Sequence, residues 1–174
     1  GYAGEAVTGV VELWNGSSWT ETTNVNTARN AAGGTGTSTA SLIFGGDKPG
    51  AANETELWNG SSWAEQNNLS TARYYLDGSS LSSTLALASG GSTGSRTGAT
   101  EEWNASTPVG AWSTGGSLNT GRNNSAGAAA DTTAALVSGG NPNLAITESY
   151  NGSSWTEVND LNTGRDYLCG SGTS

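Results

Sequence analysis

Charged residues recur along this chain at regular intervals, and their types are those used for acid–base chemistry or anion binding. Four glutamates each precede an aromatic residue by two positions: Glu12, Glu56, Glu101 and Glu148. Four arginines each follow a Thr-Ala or Thr-Gly pair: Arg29, Arg73, Arg122 and Arg165. A catalytic group has no reason to occur once per repeat, whereas a packing element does. We therefore expect each Arg to form a structural ion pair with a Glu, partly buried and bidentate.

Residue types that carry most enzymatic chemistry are missing from the chain. It contains no His, the commonest general base and metal ligand. Cys169 is its one cysteine and has no His to activate it, so a small buried thiol is expected there. The aspartates lack the alternating spacing of a calcium loop. We accordingly expect no catalytic residues, no metal and no cofactor.

The charge balance restricts the classes of partner. The chain has 174 residues, with 6 basic against 15 acidic side chains and a net charge of −9. An acidic surface repels phosphate backbones, which argues against nucleic acid as a partner. No apolar run is long enough for a transmembrane helix, so membrane insertion is not expected. The core must combine 7 Trp and 5 Tyr with many small residues, including 27 Gly.

Three sets of landmarks share one period. The string Glu-Leu-Trp-Asn-Gly-Ser-Ser-Trp occupies 12–19 and recurs at 56–63, with looser copies at 101–112 and 148–155. The first aromatic of the copies recurs after 44, 45 and 47 residues, and the arginines recur after 44, 49 and 43. Gly-Gly pairs at 45–46, 90–91 and 139–140 keep the same interval. Such a period predicts a repeat architecture.

Each repeat is predicted to contain four strands, A to D, and no helix. Short apolar runs before the Gly-Gly pairs predict strand B at 41–44, 85–88 and 134–137. Strand C carries the first aromatic, as at 55–58, and a four-residue turn such as 59–62 leads to strand D. Strand D begins at a second aromatic, expected to fill the space between neighbouring sheets: Trp19, Trp63, Trp112 and Trp155.

The order Arg, Gly-Gly, aromatic, Trp resembles the repeat of kelch-type β-propellers. The resemblance implies an all-β, kelch-like β-propeller segment with four-stranded antiparallel blades and about four repeats. Residues 1–174 form one segment on this interpretation, with strands in the order CD, ABCD, ABCD, ABCD, A. The repeats lie near 29–72, 73–121 and 122–164, with partial repeats near 1–28 and 165–174. Trp replaces the usual kelch Tyr at three of four strand C positions.

The connections between strands B and C differ most between repeats and are the predicted binding surface. They span 47–53, 92–98 and 141–146, and specificity is commonly carried by varied loops on a regular scaffold. We expect ligand or partner contacts at Asp47, Lys48, Arg96, Asn141 and Asn143.

These observations favour a non-catalytic binding or structural β-propeller. The Trp-Asn-Gly-Ser-Ser-Trp spelling is similar to repeats in predicted bacteriophage tail or fibre proteins, which implies a virion or extracellular recognition module. The expected partner is a protein or a surface glycan, with further blades or a second copy at the open strand edges. An intracellular kelch-type adaptor, with a cytoplasmic location, stays open as an alternative. A second alternative is part of an enzyme whose active site lies in other blades.

Overall fold

A computed structural model describes residues 7–80, 82–106 and 110–172 of the chain. Within these residues the protein is all-β and contains no helix. The first sheet has two strands, β1 (Val11–Trp14) and β2 (Trp19–Thr22). The second sheet has β3 (Gly33–Thr37), β4 (Ala40–Phe44), β5 (Thr55–Trp58) and β6 (Trp63–Glu65). The third has β7 (Asp77–Ser79), β8 (Leu85–Ser89), β9 (Thr100–Asn104) and β10 (Ala111–Thr114), and the fourth has β11 (Ala126–Asp131), β12 (Ala134–Ser138), β13 (Thr147–Tyr150) and β14 (Trp155–Glu157).

Every four-stranded sheet is an antiparallel meander in chain order, as the pattern predicts. The predicted apolar runs form β4, β8 and β12, each followed by a Gly-Gly pair. In the second sheet Trp58 lies opposite Trp63, so residues 59–62 form the predicted four-residue turn. The Asn59 side chain holds this turn, because its Oδ1 accepts hydrogen bonds from the backbone N–H groups of Ser61 and Ser62, both at 3.0 Å.

The Gly-Gly pairs join each sheet to the next. The N–H of Gly46 donates to the carbonyl of Arg73 at 2.9 Å, and equivalent bonds run from Gly91 to Arg122 and from Gly140 to Arg165. At Gly45, with φ of +63°, a Cβ would lie 2.7 Å from the carbonyl oxygen of Arg73. Glycine is therefore required for both the left-handed backbone and the close approach. This explains why the pair recurs at the end of strand B.

The first strands of the three larger sheets converge. Strand β7 contacts both β3 and β11, and a Cβ at Gly78 would lie 2.6 Å from the backbone nitrogen of Gly34. Backbone hydrogen bonds connect the loops before these strands, from Tyr75 to Ala31 at 2.9 Å and from Asn124 to Tyr75 at 3.2 Å. The three larger sheets are thus in contact at their first strands.

Two hydrophobic clusters fill the space between successive sheets. The cluster between the second and third sheets contains Leu42, Phe44, Leu69, Leu76, Ala86, Ala88 and Trp103. The cluster between the third and fourth sheets contains Leu87, Leu118, Ala129, Ala135, Val137, Tyr150 and Trp155. Since aliphatic residues are few, the aromatic rings supply much of the buried area.

Two expectations at the C-terminal end are wrong. The final strand A, expected within 166–174, is not a strand in residues 166–172, and residues 173 and 174 lie outside the described residues. A strand needs a hydrogen-bonded neighbour, and no described strand pairs with this segment. Cys169, expected to be buried, is exposed. At the other end, part of the connection expected over 1–11 also lies outside the described residues.

Candidate functional site at the loop end of the first strands

The recurring charges form three buried ion pairs, so the pairing expected of each Arg is confirmed for three of the four. Each Arg precedes the first strand of a sheet and meets the Glu on the third strand of the same sheet. The pairs are Arg29 with Glu56, Arg73 with Glu101, and Arg122 with Glu148. The side chains are almost completely buried. These charges hold loops against sheets and are inaccessible to a ligand.

The geometry of the pairs differs from the expected partly buried, bidentate one. Only one oxygen of Glu148 contacts Arg122, while its Oε2 accepts a hydrogen bond from the backbone N–H of Asn119 at 2.7 Å. The Arg122 Nη1 donates instead to the carbonyl of Ile146 at 2.8 Å. Arg29 and Glu56 repeat this arrangement. The buried charges therefore also satisfy orphan backbone groups of the connecting loops.

Glu12 and Arg165 are the exceptions. Both are exposed, and no ion pair involves either of them within the described part of the chain. Arg165 keeps the local bond of its equivalents, with its Nε donating to the carbonyl of Thr163 at 3.3 Å. A repeat position thus predicts a residue's type, but the sheet around it decides whether it is paired.

The second aromatics bridge neighbouring sheets, as predicted, at three of four positions. Trp112 Nε1 donates to Thr55 Oγ1 at 2.9 Å, and Trp155 Nε1 donates to Thr100 Oγ1 at 3.1 Å. Trp63 Nε1 reaches the carbonyl of Thr23 at 3.1 Å. For Trp19 the prediction is wrong: this side chain is 64% exposed. It lies on the first sheet, which has no preceding sheet among the described residues.

Of the five predicted loop contacts, Arg96 and Asn141 come together. Arg96 Nη1 donates to Asn141 Oδ1 at 2.7 Å, and Asn141 Nδ2 donates to Asp166 Oδ2 at 3.1 Å. Asp47 Oδ1 caps its own loop by accepting from the Gly50 N–H at 2.8 Å. The contact between Arg96 and Asn141 links the loop between the second and third strands of the third sheet to the equivalent loop of the fourth sheet.

The remaining two predicted contacts lie apart from this network. Lys48 forms an ion pair with Glu54 inside its own connection. Asn143 is exposed and has a left-handed backbone, with φ of +53°. Neither residue lines a cavity that contains Arg96 or Asn141.

A cavity of about 270 Å³, the Asn123 cavity, opens among the loops before the first strands. It contains Asp47 and Asn141 from the predicted contacts. It is lined by Asn30, Asp47, Tyr74, Tyr75, Ser92, Asn123, Asn124, Asn141 and Tyr167. Oδ1 of Asn123 is buried and has no hydrogen-bond partner among the described residues. A buried acceptor without a donor is costly, so this atom marks a place for a hydrogen-bonding ligand or water.

A second cavity, the Asp77 cavity, adjoins the first and has a volume of about 300 Å³. The two share Tyr75, Asn124 and Tyr167. The Asp77 carboxylate lines it and accepts a hydrogen bond from the Ser125 hydroxyl of the fourth sheet. Burial raises the pKa of Asp77 to about 7, although Ser125 and Arg122 act in the opposite direction. A carboxyl group in such a setting holds or releases a proton near neutrality.

Sequence reasoning missed Asp77 and Ser125. Asp77 lies four residues after its Arg, where the other repeats have Gly33, Ala126 and Cys169. One carboxylate among small residues at a position next to the converging strands was the available signal. A carboxylate at only one of the four equivalent positions has no period to mark it.

The Asn123 cavity is lined mainly by amide, hydroxyl and aromatic side chains. Among the described residues, no three or more Cys, Asp and Glu side chains cluster to hold a metal ion. The described residues also include no helix long and apolar enough to cross a membrane. No protein-family model and no curated protein matches the chain, so the site stands on its own geometry.

Proposed function

We propose that this chain is a segment of a kelch-like β-propeller that works by non-catalytic binding at its loop end. Three features support the propeller interpretation: four-stranded meanders, first strands that converge, and Gly-Gly links from each sheet to the next. A further cavity of about 320 Å³ is lined by Gly34, Gly78, Gly127 and Gly170, one from each of four successive repeats. Convergence of repeats on a shared cavity is the arrangement of propeller blades around a channel.

The observation that carries the binding proposal is the division of polar groups between two roles. The periodic Arg and Glu residues are buried in ion pairs and serve the scaffold. Non-periodic polar groups, including Asp47, Arg96 and Asn141, lie together at the loop end. Varied polar side chains on a regular scaffold suit recognition.

The partner we propose is a protein or a surface glycan, met outside the cell or from a virion. Its support is the similarity of the Trp-Asn-Gly-Ser-Ser-Trp repeats to those of predicted phage tail or fibre proteins. An intracellular adaptor would use the same loop end, but no feature of the structure favours it. An enzymatic role would require active-site residues beyond those described.

The test is binding of the labelled chain to intact bacterial cells and to an array of bacterial surface glycans. Replacing Arg96 and Asn141 by Ser should reduce the bound signal strongly, because both lie exposed or half-exposed on the loop end. Glu157→Gln on the outer strand β14 is the matched control and should bind like the unmodified chain. Equal binding by the loop variant would contradict the assigned face. Release of shorter saccharides from the bound glycan would contradict the non-catalytic assignment.

A further inference from the structure

The Asp77 cavity contains a carboxylate that forms no ion pair among the described residues. Residues from four successive repeats line it, among them Ala31, Asp77, Ser125 and Tyr167. None of the lining residues is Arg or Lys. The Ser125 hydroxyl donates a hydrogen bond to the Asp77 side chain. A carboxylate withdrawn from water without an ion pair is poorly compensated in its charged form.

The adjoining Asn123 cavity adds a second observation, a buried acceptor that has no donor. Asn123 Oδ1 is a buried acceptor with no partner among the described residues. The cavity around it also contains the carboxylate residue Asp47 and no Arg or Lys. The Asp77 carboxylate and Asn123 Oδ1 therefore belong to residues of neighbouring cavities, and a group that satisfies either of them must donate a hydrogen bond.

A primary ammonium group fits these requirements better than a metal ion or a neutral molecule. It carries a positive charge for the carboxylate and three N–H donors on one atom. A divalent cation would require more carboxylate ligands than the described residues bring together here. Tyr75 and Tyr167 line both cavities, and aromatic rings next to a carboxylate are common partners of organic cations. A volume of about 300 Å³ is at the lower end of the range for small-molecule sites.

We propose that the Asp77 cavity binds a primary ammonium group, carried by a free alkylamine or by a lysine side chain, with Asp77 as its counter-ion. The ammonium donates to Asp77, and its alkyl part lies along the side of the cavity formed by Ala31, Ala32 and Leu168. This inference does not depend on the loop-end proposal, because neither Arg96 nor Asn141 lines the Asp77 cavity.

The experiment is a calorimetric titration of the whole chain with n-butylammonium chloride, with n-butanol as the neutral probe of equal length. Binding of the amine and not of the alcohol is expected. A second arm uses a short unstructured peptide with one lysine, compared with the same peptide carrying norleucine. Tighter binding of the lysine peptide than of butylammonium identifies a lysine side chain as the source. Tighter binding of butylammonium identifies a free ligand.

Asp77→Asn should weaken amine binding by about tenfold or more, since it removes the charge and keeps the size of the side chain. Glu157→Gln, which removes the same charge from the exposed end of β14, should leave binding unchanged. In the unmodified chain, saturation with amine should lower the titration midpoint of the Asp77 carboxyl carbon followed by NMR. That measurement needs no variant, so it stands even if Asp77→Asn unfolds the protein.

Three outcomes would overturn the proposal. The first is equal binding of butylammonium and butanol, which would show that the charge is not recognised. The second is unchanged affinity in a folded Asp77→Asn variant. The third is a titration midpoint of Asp77 that does not shift, whether the amine saturates the chain or fails to bind at any concentration.

Discussion

Tyr150 on β13 donates its hydroxyl hydrogen to Oε1 of Glu102 on β9, across the boundary between the third and fourth sheets, at 2.6 Å. The equivalent Trp58 and Trp103 instead donate to carbonyls of their own sheets, at Ser38 and Ser83. Burial, together with the bond to Glu102, raises the pKa of Tyr150 to about 12. The single Tyr at this repeat position therefore forms a hydrogen bond between two sheets, whereas the Trp residues at the equivalent positions form theirs within one sheet.

Tyr150→Phe should destabilise the fold by about 1.5–3 kcal/mol, the range for a hydrogen bond to a charged group. Glu102 would lose its partner while the ring stays packed in the cluster with Trp155. Urea unfolding monitored by tryptophan fluorescence measures the difference. Tyr74→Phe is the control, and an equal loss in both variants would show that the bond to Glu102 contributes nothing specific.

Arg73→Ala should destabilise by about 3–5 kcal/mol, because it leaves Glu101 as a buried, uncompensated charge. Arg165→Ala, at the equivalent repeat position, should cost less than about 1 kcal/mol, since Arg165 is exposed and forms no described ion pair. Arg96→Ala should be similarly mild. A comparable loss of unfolding free energy in Arg73→Ala and Arg165→Ala would contradict the conclusion that the buried ion pair stabilises the fold.

The chain should associate in solution through its first sheet. Trp14 is 49% exposed and Trp19 is 64% exposed, whereas their equivalents Trp58 and Trp103 are at most 2% exposed. Among the described residues β1 pairs only with β2, so its other edge offers unpaired backbone groups. Sedimentation velocity over a range of concentrations should show reversible oligomers, suppressed by Trp14→Ser with Trp19→Ser. A monomer at every concentration would contradict this prediction.

Stability should fall as the pH rises from about 4 to about 7, owing to Asp77. Its folded pKa of about 7 lies above the unfolded value of about 3.9, so the folded state binds the proton more tightly. This contribution is fully present below the unfolded pKa and is lost as the pH rises through the folded pKa, at up to about 1.4 kcal/mol per pH unit.

The comparison with Asp77→Asn isolates this carboxyl from the other acidic groups. Ser125 donates a hydrogen bond to it, Arg122 acts on it as an opposing charge, and Tyr75 and Tyr167 lie in the cavity wall. Chemical denaturation at several pH values should show that the free energy of unfolding falls with rising pH in the unmodified chain. The fall should be smaller in the variant. Parallel curves would show that Asp77 is not the group responsible.

Much of the fold was predictable because each repeat carries its own local signals. Turn residues at 59–62, the Gly-Gly pairs and the apolar runs before them specify the strands without reference to distant residues. Pairing of Arg29 with Glu56 was also predictable, since two recurring opposite charges that leave water must meet. The monodentate geometry was not, because it depends on backbone N–H groups placed by the loop.

The sequence by itself determined the period, the strand order and the structural ion pairs, since these follow from local patterns that are repeated. Only the tertiary structure decided which copies are buried. Glu12, Trp19 and Arg165 occupy repeat positions, yet they are exposed. Glu12 and Arg165 lack, among the described residues, the rest of the four-stranded sheet that buries their equivalents, and Trp19 lacks a preceding sheet. The tertiary structure also placed Ser125 against Asp77 from 48 residues away, which turns a solitary carboxylate into the wall of a cavity. Such contacts depend on how sheets pack, and packing is not encoded in any single repeat.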